Sequence, residues 1–366
     1  MKKYLVTSIL LLFVTFGFGQ QSFIQFVYVS DSHYGIERDF RGKTSVSASK
    51  VNRAMIDAIN SLPGMVLPRD GGVKEAEKIA WVDYVINTGD ITNRAEKGIP
   101  RSARSWRQFK RDWSGLKLVN IAGVPTPQLL LPGNHDISNA IGHPSIPRHK
   151  VDATAAAEIY NAMLRPDTLL SKRAYNRDRH LCNYAFCNSN VHFVFLDMWP
   201  DTRNRTWLKA KLQTFPKEDV CLLFVHDQPD IEARHLINPN GARDINTIDR
   251  FENLAGDVSS VSASGDVPVE ERRQLQEFLG AHPVIRGYFH GNENYNEFYT
   301  WGKPVAKVSF FRVDSPMKGA ASSKNEAQLS FQFVVIDTEK KVMTVREFFW
   351  NRLDNPVWGE TITVRL

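Results

Sequence analysis

The chain has 366 residues, of which 42% are hydrophobic and 23% charged. That length supports one large core or two modest ones, and that balance excludes disordered and fibrous classes. The net charge of +6 includes Lys2 and Lys3 of a leader-like segment and falls to +4 without these two, so charge alone points to no nucleic acid or membrane partner.

Met1-Lys2-Lys3 precede an apolar stretch from Tyr4 to Phe18, followed by Gly19, Gln20 and Gln21. A basic start, an apolar run and small residues in that order read as a signal peptide over residues 1–20, too short for the roughly 20 apolar residues of a membrane span. The expectation is cleavage near Gly19 or Gln20 and an exported protein, periplasmic or secreted. No cysteine sits at the cut to carry a lipid, and no other run approaches membrane-spanning length. Residues 21–366 then form a single domain.

Short apolar runs follow in order: Phe23 to Val29, Trp81 to Ile86, Gln128 to Leu131, Val191 to Leu196, Val220 to Val225 and Pro283 to Phe289. Helical patterns lie between them. Val51, Met55, Ile59 and Leu62 recur at helical spacing before Pro63-Gly64, and a second helix spans Asp152 to Leu164 with Asp152 as its cap. Arg101, Arg104, Arg107, Lys110 and Arg111 alternate with Trp106, Phe109 and Trp113, an amphipathic helix whose basic side reads as a solvated face. Buried strands alternating with helices predict a layered α/β fold. The tail, residues 301–366, changes to strands, with a hairpin of Leu329 to Ile336 and Val342 to Phe349 and one more strand at Thr361 to Val364. It is expected to complete a second sheet.

The three cysteines are Cys182, Cys187 and Cys221. A Cys182–Cys187 bridge is a possible pairing in an oxidising compartment, and Cys221, opening an apolar run, reads as buried. No cysteine pair has zinc-finger spacing, so a metal here is held by oxygen and imidazole.

Five of the six runs end in groups that bind metals. The first ends in Asp31-Ser32-His33, the second in Gly89-Asp90, the third in Gly133-Asn134-His135-Asp136, the fifth in His226-Asp227 and the last in His290. The fourth ends in Asp197, read as a turn or surface carboxylate. Each fragment alone is commonplace in turns, but ligands of open α/β sheets gather at the carboxyl ends of strands, and the set lies there in order.

This set resembles the calcineurin-like metallophosphoesterase superfamily, whose pattern is Asp-x-His, Gly-Asp, Gly-Asn-His-Asp/Glu, a lone His, then Gly-His-x-His. The resemblance implies a four-layer αββα sandwich, with two mixed β-sheets flanked by helices and the metal site at the carboxyl ends of strands. It makes Asp31, His33 and His290 ligands of one metal, with Asp90 bridging to a second held by Asn134 and His226. Two divalent or trivalent ions are implied, Mn, Zn or Fe. Such a pair clamps a phosphate and activates a bridging water for in-line attack. His135 then assists the leaving group, with Asp136 orienting its ring and holding it charged.

The last motif departs from the pattern. It reads Gly287-Tyr288-Phe289-His290, one histidine short, in the register that keeps a glycine; a second register begins at His290 and puts Asn292 at the second histidine. Tyr288 is therefore a candidate substitute ligand for the second metal. Asn93, Arg94, His143, His149, Asn292 and Glu293 are further candidates for touching substrate. The leading reading is hydrolysis of a small phosphate monoester or diester. Two others stand beside it: a weak or inactive metal-binding protein with a degenerate second site, and an extracytoplasmic nuclease, for which no stacking-aromatic motif speaks.

Overall fold

The computed structural model describes residues 21–94, 98–137, 152–177, 179–231, 235, 269–301, 307–352 and 357–366. The leader segment, His143 and His149 lie outside the described residues.

The six apolar runs are strands: β1 (Phe23–Val29), β4 (Tyr84–Asn87), β5 (Gln128–Leu130), β7 (Val191–Phe195), β8 (Val220–Phe224) and β9 (Ile285–His290). A small hairpin of β2 (Glu37–Phe40) and β3 (Lys43–Ser47) follows β1, and β6 (Tyr184–Asn188) precedes β7. β10 (Glu297–Tyr299) follows β9, and the tail adds β11 (Ser309–Arg312), β12 (Ser330–Asp337), β13 (Val342–Phe349) and β14 (Val357–Arg365).

Two six-stranded mixed sheets result. One has the order β14-β13-β12-β1-β4-β5, with β1, β4 and β5 parallel; the other has the order β10-β11-β9-β8-β7-β6, with β7, β8, β9 and β11 parallel. The tail therefore does not complete one sheet. β11 pairs with β9, but the long hairpin β12–β13 pairs through β12 with β1 and extends the first sheet. The cause is a long-range choice of strand partner, which a local apolar pattern does not encode.

Alternation along β8 shows the layers. Leu222 and Phe224 belong to the core between the sheets, whereas Cys221 and Leu223 belong to a second core behind the sheet. Phe26 of the first sheet meets Phe193, Phe224 and Phe289 of the second at ring distances of 5.7–5.9 Å, all edge-on, a favoured aromatic geometry. Helix α1 (Ala48–Asn60) buries Val51, Met55 and Ile59, and α2 (Ser102–Trp113) buries Trp106, Phe109 and Trp113 in the first core. Arg101 at the N-terminal cap of the latter and Arg104, Arg107 and Arg111 within it stay exposed. Leu208 of α5 (Thr202–Leu212) and Leu275 and Leu279 of α6 (Val269–Ala281) cover the outer face of the second sheet. The architecture is a sandwich of two mixed sheets flanked by helices.

Asn134–Ile137 forms the single turn α3, and helix α4 (Thr154–Leu164) begins after Asp152, whose carboxylate accepts from the Thr154 N–H at 3.3 Å. Two expectations fail nearby. Cys182 and Cys187 are free thiols, one buried and one exposed. From Tyr184 on the intervening chain is extended β6, which at a rise of about 3.3 Å per residue carries Cys187 away from Cys182 and out of disulfide reach. Asp197, read as a turn or surface carboxylate, lies at a bend but not at the surface: it is buried, pairs with the Arg177 guanidinium at 3.1 Å and accepts from the Cys182 N–H at 2.9 Å.

Candidate metal centre

The exits of β1 and β4 are zipped together beyond their last paired residues. Asp31 N donates to Gly89 O at 2.9 Å, and His33 N donates to Asp90 O at 2.8 Å. Asp31, His33 and Asp90 have φ of 56°, 41° and 49°, left-handed conformations that side-chain-bearing residues seldom adopt and that collect at functional sites. These bends swing the side chains out of strand alternation and into one pocket. Glycine is required beside them. A Cβ on Gly133 would stand 2.3 Å from Asp90 N and Oδ1, and one on Gly89 would stand 2.4 Å from Gly133 N.

The result is a buried cluster. Asp90 stands between two imidazoles, its Oδ2 3.5 Å from His33 Nε2 and its Oδ1 3.4 Å from His226 Nε2. Asp31 Oδ1 lies 3.6 Å from His33 Nε2. Asn134 Oδ1 lies 3.1 Å from His226 Nε2. Thr88 O, 3.0 Å from His226 Nδ1, holds that ring with Nε2 facing the cluster, the outer contact that metal-binding histidines usually have. Among the described residues, three sets of three converge closely enough to grip an ion, and two of them lie here: His33, Asp90 and His135, and Asp31, Asp90 and His226; the third, Cys187, His192 and Asp219, lies at the start of β7 and β8.

A pair of cations fits these residues. Asp31 Oδ1 is buried without a hydrogen-bond partner, an arrangement costly for a carboxylate unless a cation meets it. The donors are carboxylate, amide oxygen and imidazole with no thiolate, which suits Zn, Mn or Fe. Burial pushes the Asp90 carboxyl up to about 7 against the pull of His226, with Asp31 adding to the rise. Burial also pulls His33 down to about 3, and the Lys318 ammonium adds to that effect. His226 goes the other way: the Asp90 and Asp31 carboxylates overcome its burial and raise it to about 9.

Three expected residues do not do what the sequence implied. His290 is not drawn into the cluster: its Nε2 lies 2.7 Å from Tyr299 Oη and its Nδ1 3.2 Å from Gly291 O. Tyr288 donates to Asp227 O at 3.0 Å, and burial holds its phenol well above the ordinary value, so it is not a substitute ligand. Strand parity explains both, because Tyr288 and His290 share the outer face of β9 with Phe310 and Tyr299, whereas Phe289 faces the other sheet. Asp136 does not orient the His135 ring either. It accepts from Ile91 N, Thr92 N, Thr92 Oγ1 and Gly133 N at 2.8–3.0 Å, tying the turns of two motifs together.

The glycine at the exit of β9 is Gly291, not Gly287. Gly287 lies within the strand, where a Cβ would meet Leu222 Cδ2 at 2.8 Å; a Cβ on Gly291 would stand 2.2 Å from Asp31 Oδ2. Asn292 N donates to that same oxygen at 2.9 Å. Laid from this glycine, the last motif reads Gly291-Asn292-Glu293-Asn294, with asparagine at both histidine positions. The Asn292 amide reaches Gln228 Oε1 at 2.9 Å.

Sequence reasoning named Arg94 without assigning it a task and did not name Lys318. Arg94 N lies 3.2 Å from His135 Nδ1 and its Nη2 2.9 Å from Nε2. Lys318 Nζ lies 3.5 Å from the same Nε2. Neither residue sits in a recognisable pattern, so no local signal marks them.

Residues 24–261 match the calcineurin-like phosphoesterase family. The chain belongs to that family, which is dimetal-dependent, and the match stops short of the exit of β9. A search of curated proteins gave no match. Among solved structures, a dimetal phosphatase from Danio rerio is similar at a TM-score of 0.52 and 10% identity, covering 93% of this chain and 98% of that one. The calcineurin-like phosphoesterase YfkN from Bacillus subtilis aligns at a TM-score of 0.35 and 10% identity, covering 94% of this chain and 90% of that one. These likenesses concern the fold. The family supports metal-dependent phosphoester hydrolysis in general.

Proposed function

We propose that the protein hydrolyses a small phosphate ester at a pair of metal ions held by Asp31, His33, Asp90, Asn134 and His226. The observation that carries this reading is Asp90, whose two carboxylate oxygens each face a different imidazole at 3.4–3.5 Å. A carboxylate so placed would hold an ion on each side. When bound, the ions neutralise phosphate charge and lower the pKa of water.

The protein's own residues do the rest. Asp31, anchored by Asn292 N and by the turn from Gly89, fixes one side of the cleft. His135, held through its backbone N–H by Asp90 Oδ1 at 2.9 Å, presents its ring at the pocket edge beside Arg94 and Lys318, at the end from which the leaving group departs. Burial of the cluster excludes water and strengthens each of these interactions.

Export through the leader over residues 1–20 is part of the same proposal. Among the described residues no helix is long and apolar enough to cross a membrane. N-terminal sequencing of protein from cell fractions decides it: a mature chain beginning near residue 20 outside the cytoplasm is expected, and an intact Met1 inside it would refute export.

Asn292 and Asn294 favour a second reading, a metal-binding protein with a degenerate site and little turnover. Metal counting together with hydrolysis of p-nitrophenyl phosphate and its bis ester, with Mn, Zn or Fe added, separates the two. Turnover that His135→Ala lowers by roughly 10²-fold or more supports the enzyme. No turnover of either ester with one ion or none bound would establish the second reading.

A further inference from the structure

The two cations at His135 reach it from unrelated parts of the chain. Arg94 follows the exit of β4 and is only 6% exposed. Lys318 follows β11, in a loop fixed from below: Ser315 Oγ donates to Asp31 O at 2.8 Å and accepts from Met317 N and Lys318 N at 3.1 and 2.9 Å. The backbone that carries Lys318 is therefore tied to the strand exit that carries Asp31. Guanidinium and ammonium both converge on His135 Nε2, at 2.9 and 3.5 Å.

On the reading proposed above, this is the end of the pocket from which the leaving group departs. A departing alcohol has one oxygen to satisfy, and His135 alone satisfies it. Two fixed cations there match a leaving group that carries negative charge of its own. The guanidinium fork suits two oxygens of one phosphate, and the lysine adds a point charge. We propose that the substrate is a phosphoanhydride and that Arg94 and Lys318 hold the departing phosphate. The balance is simple. Water oxygen bonds to the first phosphorus, and the bond from that phosphorus to the bridging oxygen breaks. The bridging oxygen leaves with its electron pair on the second phosphate, and the hydrogens of the water end on the products or in solvent.

The test is calorimetry on the full chain loaded with Mn, using methylenediphosphonate and methylphosphonate, neither of which is hydrolysed. Lys318→Met is expected to weaken methylenediphosphonate binding about 10- to 100-fold, the usual effect of losing a charged hydrogen bond. It should change methylphosphonate binding less than about threefold, and Lys318→Arg should retain the wild-type values. In turnover, Lys318→Met should depress kcat/KM for ADP at least about tenfold more than for p-nitrophenyl phosphate. Equal weakening of both phosphonates, or none, overturns the proposal. Circular dichroism and metal counts on the same samples show whether the variant is folded and loaded; if it is not, Lys318→Gln and Arg94→Lys are read by the same criteria. Failure of wild-type turnover on every phosphate compound would sink the hydrolase reading and this proposal with it, whereas equal weakening of both phosphonates in an enzyme that turns over an ester sinks this proposal alone.

Discussion

At the exits of β1, β4, β5 and β8 the chain turns Asp31, His33, Asp90, Asn134 and His226 into one buried cluster. At the exit of β9, a neighbouring place in the same rim, it offers Asp31 a backbone N–H from Asn292 and keeps His290 on the outer face. A polar residue at a strand end is therefore not automatically a ligand. At Asp31, His33 and Asp90 a left-handed bend breaks strand alternation, whereas His290 is still paired with Arg312 of β11 and keeps its parity.

Asp90→Asn tests the first group most severely. It removes the charge shared by both imidazoles, and turnover should fall by roughly 10³-fold or more with loss of bound metal; an unchanged metal count would break the assignment. Gly133→Ala follows, because its Cβ would meet Asp90 N and Oδ1 at 2.3 Å. Chemical denaturation should show about 1–3 kcal/mol of destabilisation, the range for forced overpacking.

Asn292→His sharpens the contrast from the other side by placing an imidazole at the exit of β9. Metal affinity by competition titration should rise about tenfold, equivalent to about 1.4 kcal/mol, and no gain would mean that this exit cannot reach an ion. Tyr288→Phe removes only the bond to Asp227 O, so stability should drop by about 1 kcal/mol with metal content unchanged. Loss of metal in that variant would restore Tyr288 as a ligand.

A different kind of effect, on stability against pH, concerns Asp314, just past β11, whose carboxyl burial raises from 3.8 to about 8. The native state holds a proton that the unfolded chain gives up, so the contribution to stability is complete below pH 3.8 and is lost as pH rises to about 8. Melting curves across that range should decline for the wild type and less steeply for Asp314→Asn.

The positions of the strands along the chain and the residues at their ends were legible in the sequence. Phe23 to Val29 matches β1 residue for residue, and four of the five expected strand-end groups meet in one cluster, because apolar runs and the turns that stop them are local facts. The sequence also showed that the last motif was damaged. Tertiary structure alone decided how. Which face of β9 His290 takes depends on pairing with β11, and the glycine that matters is the one pressed against Asp31. The hydrogen bonds of Asp136 run to the turn after β4, the tail divides between two sheets, and Lys318 arrives more than 180 residues after His135. Each of these is a choice among distant partners, made by packing and hydrogen-bond satisfaction that no local pattern records.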